Sequence, residues 1–471
     1  MIFHQYYLDC LSQASYLVGD ESTGRAVVVD PRRDVAGYVE DAAEVGLRIE
    51  LIIETHFHAD FLSGHLELSS ATGATIAYGE AAETEFPSRK LADGEQISLG
   101  DVTLVIRATP GHTPESISIV VYEHADDEIP YGVLTGDTLF IGDVGRPDLL
   151  SAVGVTADEL ARELYDSVHT KLLSLPDATR VFPAHGAGSA CGKQLSTETV
   201  STVGEQRATN YALAPMTADE FVNIVAEGLN AAPAYFAYDA SLNRKRHRLL
   251  DESHPPARLE LDEVLVLQDQ GATVLDTRDA IDFAAGHVRG SVNIAIDGRY
   301  AEWTGSLLDP DGGIVLVGHP GTELEAKNRL GRIGFDRVLG YLADPERALA
   351  GRPEVVARAS RLTVDDLAER IQSGDVVLID VRSPGEVRLG TIPGSLAIPL
   401  GQLSAELDAL DRERPTVVYC ASGYRSSIAA SLLRAAGFED VSDLLGGYPA
   451  WSSRAGSRGR TSVIVDDERS V

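Results

Sequence analysis

Five short clusters hold the side chains able to do chemistry. Four lie in the first half: His56-Phe-His58-Ala-Asp60, Gly111-His112-Thr113, Gly136-Asp137-Thr138 and Pro183-Ala-His185. Each follows an apolar, strand-like run. Imidazoles and carboxylates suit zinc, iron or manganese, and the glycines allow backbones to approach closely. A lone histidine is more often structural, but four such clusters in order point to a metal site. The fifth cluster is Cys420, followed by Ala421, Ser422, Gly423, Tyr424, Arg425 and Ser426. It lies between an apolar run, Thr416–Tyr419, and a helical pattern, Ser427–Ala436. A cysteine so placed sits under converging N–H groups and the positive end of a helix, which favours a thiolate or persulfide anion. Arg425 adds a charge able to hold sulfite or thiosulfate.

Strands that end in the metal-type clusters are expected at Arg25–Asp30, Glu50–Glu54, Thr103–Arg107, Ser116–Tyr122, Tyr131–Leu134 and Arg180–Phe182. Helices are expected at Asp34–Gly46 and Ala157–Leu175. This is a layered α/β scaffold with its site in loops. Residues 241–258 are polar and basic, carry Pro255–Pro256, and read as a solvated connector or docking strip. An internal repeat follows. Asp276-Thr-Arg278 returns as Asp380-Val-Arg382, and Gly286–Ser291 as Gly390–Ser395, both at an offset of 104. Each copy reads as a small parallel α/β domain. The expected division is 1–240, 258–350, 362–455 and a mobile tail, 456–471.

The chain has 471 residues with 72 acidic and 40 basic side chains, a net charge of −32 that argues against nucleic acid and anionic membrane as partners. For that reason Arg244–Arg248 (RKRHR) is not read as a nucleic-acid site. No 18-residue apolar run and no signal-peptide pattern is seen. Three cysteines, Cys10, Cys191 and Cys420, are too few for a disulfide framework, so a reducing cytoplasm is expected.

The first four clusters resemble the metallo-β-lactamase superfamily across residues 1–240, which implies an αββα sandwich. The superfamily pattern HxHxDH is broken by Phe61 in place of its last histidine. Phenylalanine cannot ligate a metal, which weakens a binuclear hydrolytic site. His56, His112 and Asp137 then remain as two imidazoles and one carboxylate, the facial set of non-haem iron(II) oxygenases. The stretch 136–148 resembles the persulfide dioxygenase branch. That resemblance implies one Fe(2+) per chain on His56, His112 and Asp137, with His58, Asp60 and His185 orienting ligands and water. Ligation of a second metal by those three is the competing reading. Arg146 has two readings: a contact to the substrate carboxylate, or an internal ion pair with Asp143 or Asp148. Cys191, in a small-residue loop read as accessible, either lines the substrate channel or carries sulfur, or else it is a buried filler. Cys10 is assigned to packing.

Residues 362–455 resemble a rhodanese, a sulfurtransferase, through CASGYRS (420–426), GTIPGS (390–395) and LGGYPAW (445–451). Asp380, Arg382 and Glu386 are read as fold-holding ion pairs. The middle copy resembles an inactive rhodanese. Val317 is placed opposite Cys420 and Thr322 opposite Arg425, and no thiol is present. Its expected role is spacing, docking or oligomer contact, which makes a homo-oligomer the expectation. The whole chain is thus similar to fused persulfide dioxygenase–sulfurtransferases of sulfide oxidation. The resemblance implies a low-molecular-weight thiol persulfide and O2 as substrates, and sulfite and thiosulfate as products. Two alternatives stand beside it. One is a zinc thioester hydrolase like glyoxalase II fused to a rhodanese. The other is a sulfur-carrier scaffold.

Overall fold

Short runs of β-branched residues pair into sheets because such side chains pack well on a pleated surface. A computed structural model describes residues 1–149, 156–229, 231–374 and 376–458. The chain forms two units, Met1–His254 with Asn328–Asp336, and Pro255–Lys327 with Arg337–Val471.

The first unit holds two six-stranded sheets. In spatial order the first runs Ile2–Leu8, Gln13–Asp20, Arg25–Val29, Arg48–Ile53, Thr75–Gly79 and Arg89–Leu91. The second runs Ser201–Thr202, Arg180–Pro183, Gly132–Gly136, Ile117–Tyr122, Thr103–Ala108 and Gln96–Ser98. Side chains alternate faces along each strand. Val27, Val29, Leu51 and Ile53 therefore meet Leu104, Ile106, Ile119 and Val121 between the sheets. Val28 and Ile52 turn outward onto Tyr38, Ala42 and Leu68, which lie on the helices Ala36–Glu44 and His65–Thr72. Val120, Val133 and Val181 likewise cover Ala161, Leu164 and Phe221. The result is the αββα sandwich, with the candidate residues in loops that leave the strand ends.

Three expectations change. The helix expected over Ala157–Leu175 is α-helical only from Ala157 to Asp166, then widens into a π-type turn at Ser167–Leu172. The apolar stripe still holds, since Leu160, Leu164, Val168 and Leu172 are all buried. The supposed connector packs into the first unit: Asn243 is buried, and the Leu250 N–H donates to Glu67 Oε1 at 3.0 Å. The last helix continues from Gly447 through Arg458, so the start of the supposed tail is helical, and 459–471 lie outside the described residues.

The second unit holds two five-stranded parallel sheets. One is ordered Arg258–Leu259, Val338–Leu342, Ile314–Val317, Thr273–Asp276 and Val292–Asn293; the other Ser360–Leu362, Val441–Leu444, Thr416–Tyr419, Val377–Asp380 and Leu396–Ala397. The repeat is visible at the level of single bonds. Arg278 grips Asp276 and donates to Gly286 O at 3.0 Å. Arg382 grips Asp380 and donates to Gly390 O at 2.7 Å. Strand register corrects the alignment of the two loops by one residue. Asp276 pairs with Val317, whereas Asp380 pairs with Tyr419. Gly318, rather than Val317, therefore takes the place of Cys420, and Glu323, rather than Thr322, takes that of Arg425. No helix among the described residues is long and apolar enough to cross a membrane.

Candidate metal site and reactive cysteine loop

His56 leaves the end of Arg48–Ile53, His112 the loop after Thr103–Ala108, Asp137 the end of Gly132–Gly136, and His185 the end of Arg180–Pro183. Gly136 lets the second sheet close on the first: its φ is 53°, and a Cβ there would stand 2.7 Å from Thr55 Oγ1. Donor atoms of His56, His112 and Asp137 converge within 4.8 Å and are all buried. His56 Nε2 lies 3.8 Å and His112 Nε2 3.4 Å from Asp137 Oδ2.

Neighbours fix both tautomers. The Thr55 hydroxyl donates to Asp30 Oδ2 at 2.8 Å, so its oxygen accepts from His56 Nδ1 at 2.9 Å. His112 Nδ1 donates to Arg146 O at 2.9 Å. Both Nε2 lone pairs are thereby left facing Asp137, the arrangement that outer partners impose on metal-binding histidines. Burial, then the adjacent His58, pushes the His56 pKa far down, and burial lowers that of His112. Both imidazoles are held neutral, the form in which a histidine can ligate a metal. Burial opposes ionisation of Asp137, but His185 and His56 outweigh it and hold the carboxylate well below its usual range. Its Oδ2 is buried without a hydrogen-bond partner. Two neutral imidazoles around an orphaned anionic oxygen fit a divalent cation.

His185 bridges carboxylates. Its Nδ1 donates to Asp137 Oδ1 at 2.7 Å, and its Nε2 lies 2.8 Å from Asp60 Oδ2. Burial opposes the imidazolium, but Asp137 and Asp60 outweigh it and raise the pKa well above the ordinary value. His58 turns away to Asp30 and Glu54, with Nε2 at 3.1 and 3.5 Å. Phe61 is buried with its ring 4.3 Å from that of His58. Cys191 is 1% exposed, so its thiol is buried although the loop around it, from Ala187 to Ala190, is part-exposed as expected. Its thiol joins Asp60 and His185 in a second group whose donor atoms lie within 4.8 Å. Burial, then Asp60 and Asp137, pushes its pKa well up. Arg146 is bidentate on Asp148, at 2.7 and 2.8 Å. Asp143 instead accepts from the backbone N–H groups of Lys193 and Gln194.

Two residues escaped sequence reading. Asn243 donates from Nδ2 to His58 O at 2.7 Å and Phe61 O at 2.9 Å, and accepts from Ser63 N at 2.9 Å. It braces the whole histidine loop, yet its sequence context is a polar, basic stretch with no such signal. Asp30, which orients Thr55 and His58, did have a signal: it ends a buried strand.

In the second unit Cys420 is buried. Its sulfur accepts the Gly423 N–H at 3.1 Å and lies 3.5 Å from Ser426 Oγ. The helix Tyr424–Ala435 starts there, three residues before the expected Ser427. Gly447, at φ 58°, lets the following turn close over the loop, since a Cβ would stand 2.2 Å from Cys420 O. Arg425 is bidentate on Glu386, at 2.7 and 2.6 Å. That pair engages the charge expected to hold an oxyanion.

Residues 8–185 match the family model of the metallo-beta-lactamase superfamily, and 260–343 and 363–454 match the rhodanese-like domain. The human protein named persulfide dioxygenase ETHE1, mitochondrial (Homo sapiens), is 33% identical over 217 residues, 45% of this chain and 75% of that protein. The chain belongs to the metallo-β-lactamase superfamily and carries two rhodanese-like domains. This is the fusion the motifs imply, with homology to persulfide dioxygenase ETHE1 over its first half. The bovine protein of the same name (Bos taurus) is 32% identical over 215 residues, again 45% of this chain and 75% of that protein. The crystal structure of a metallo-beta-lactamase from Staphylococcus aureus subsp. aureus COL is 33% identical. It covers 72% of this chain and 99% of its own, with a TM-score of 0.67.

Proposed function

We propose that this protein oxidises a low-molecular-weight thiol persulfide with O2 to sulfite and then converts sulfite to thiosulfate. The observation that carries this reading is the orphaned Asp137 Oδ2 between two neutral imidazoles, with Phe61, buried against His58, in place of a further histidine. One ferrous ion held by His56, His112 and Asp137 would supply open positions where O2 and the outer persulfide sulfur can meet. The balance is RSSH + O2 + H2O giving RSH, sulfite and two protons. His185 holds Asp137 in place through its Nδ1–H bond to Oδ1.

Cys420 then acts as sulfur carrier. Its thiolate attacks the outer sulfur of a second RSSH, the S–S bond breaks, and RSH leaves with the proton. Sulfite attacks the outer sulfur of the resulting Cys420 persulfide and leaves as thiosulfate, restoring the thiolate. The Gly423 N–H stabilises the sulfur anion in both states. Anaerobic purification, metal analysis and O2 uptake with glutathione persulfide test the proposal. About one iron per chain with persulfide-dependent O2 uptake and sulfite or thiosulfate supports it.

One observation favours a second reading. Asp60, His185 and Cys191 form a second buried donor group beside the first, as a two-zinc thioester hydrolase requires. Two zincs per chain, thioester cleavage and no O2 uptake would establish that reading instead.

A further inference from the structure

We infer that the cysteine-free middle domain is a positioning element for Cys420, and that Asn293 is the residue through which it acts. The inference rests on the proposed role of Cys420 as sulfur carrier. Asn293 is 1% exposed and ends the strand Val292–Asn293. Its Nδ2 donates to Asp276 O at 3.0 Å and Arg278 O at 2.8 Å, which fixes the side chain to its own sheet. Its Oδ1 accepts the Ser427 hydroxyl at 2.8 Å, and its backbone N–H donates to Ser431 Oγ at 2.9 Å. Ser427 and Ser431 are one helical turn apart and share a face, so one residue grips the helix twice. Ser431 donates its own proton to Ile428 O at 2.7 Å, which leaves a lone pair for Asn293. A third hold runs from the Tyr424 hydroxyl to Ala295 O at 3.0 Å.

The gripped helix, Tyr424–Ala435, begins at the loop that cradles the sulfur. The three holds, at Tyr424, Ser427 and Ser431, bracket Arg425 and Ser426. Any slide of the helix moves Gly423, Ser426 and the helix's positive end relative to the sulfur, and a hydrogen bond weakens steeply with such displacement. The active copy offers no equivalent. Both Asn293 and Ala397 pair with the repeat aspartate, Asn293 with Asp276 and Ala397 with Asp380, and Ala397 has no side-chain amide. The middle domain has thus lost the nucleophile but carries the clamp.

The test uses the full-length chain with Asn293→Ala, Ser431→Ala, Ser427→Ala and the pair Asn293→Ala/Ser427→Ala. Two quantities are read: the iodoacetamide alkylation rate of Cys420 against pH, and kcat and KM for thiosulfate formation from sulfite and persulfide. Asn293→Ala is expected to slow alkylation at neutral pH about five- to tenfold and to lower kcat with little change in KM. The double variant is expected to lose no more than Asn293→Ala, because Asn293→Ala and Ser427→Ala remove the same hydrogen bond. Ser431→Ala removes the separate bond from the Asn293 backbone N–H, and Ser431→Thr is expected to restore the rate lost in Ser431→Ala. Unchanged alkylation in variants with wild-type circular dichroism would overturn the inference. Should Asn293→Ala not fold, the two serine variants decide alone, since alanine is at home in a helix. If the wild type transfers no sulfur, the carrier role fails, and the alkylation series still judges the clamp.

Discussion

Asp137 gives one carboxylate oxygen to His185 Nδ1 at 2.7 Å and keeps the other without a hydrogen-bond partner. The two oxygens therefore have different tasks. Oδ1 is an anchor and Oδ2 is the proposed metal ligand. Asp137→Asn retains the shape but removes the charge, and Nδ2 cannot coordinate. Iron content of the purified variant is expected to fall below a tenth of wild type, with O2 uptake lost in step. His185→Gln keeps all three ligands and is expected to lower iron affinity about 10–100-fold, the usual cost of removing an orienting partner. Titration of apo-protein with ferrous ion distinguishes the two variants.

Cys420→Ser separates the two halves of the chemistry. The serine hydroxyl fits the cradle of Gly423 and Ser426 but carries no sulfur. Persulfide-dependent O2 uptake is expected to stay at the wild-type rate while enzymatic thiosulfate formation disappears and sulfite accumulates. Ion chromatography of the products reads this directly. Enzymatic thiosulfate from the variant would remove Cys420 from the carrier role.

How far the sequence carried the fold depends on the range of the interaction. Strands such as Thr416–Tyr419 were legible because their apolar run is local and bounded. The 104-residue repeat was legible because Asp276–Arg278 and Asp380–Arg382 each satisfy their charges within their own loop. The clusters around His56, His112 and Asp137 were legible because ligand types are rare and ordered. Asn243 was not, since its partners His58 and Phe61 lie more than 180 residues away. The one-residue slip at Val317 had a similar cause: strand register is set by pairing with Asp276, which the loop's own sequence does not show. The place of Cys191 likewise escapes local reading, since its thiol gathers with Asp60, a residue distant in sequence.

Asn243 offers a third prediction. Three buried hydrogen bonds from one side chain hold the loop that carries His56, His58 and Asp60. Asn243→Ala leaves two carbonyls and one N–H without those partners, and an unsatisfied buried group costs about 1–3 kcal/mol. The first unit is expected to melt earlier, and iron is expected to dissociate faster because the loop is freer. Thermal melts with and without ferrous ion check both effects, and loss of stability with unchanged iron off-rate would confine Asn243 to the fold.

Arg33 gives a purely structural prediction. Its guanidinium is fully buried and donates to Glu67 Oε1 at 2.8 Å and Asp336 Oδ1 at 2.7 Å. Breaking a buried pair by removing one partner costs about 3–5 kcal/mol, because the remaining carboxylate stays buried and unpaired. Arg33→Met is expected to lower the melting point of the first unit, and Arg33→Met/Glu67→Leu to recover part of the loss. A double variant as unstable as the sum of the singles would show that the pair is not the cause.

The last prediction concerns pH. Arg425 first, against the cost of burial, lowers the Glu386 pKa from its ordinary 4.5 to about 2. The folded value is depressed, so the stability contributed by ionised Glu386 is fully present above about pH 4.5. It fades as pH falls from there through about 2, where the folded carboxylate takes up its proton. Glu386→Gln removes that dependence. Denaturation followed by the fluorescence of Trp451 in a Trp303→Phe background is expected to place the Glu386 protein above the variant at pH 7, with the gap closing between about pH 4.5 and 2. The same substitution releases Arg425 from its bidentate partner. If that pair competes with the incoming oxyanion, Glu386→Gln is expected to lower KM for sulfite at pH 7. A raised KM would mean instead that Glu386 holds the guanidinium in its binding pose.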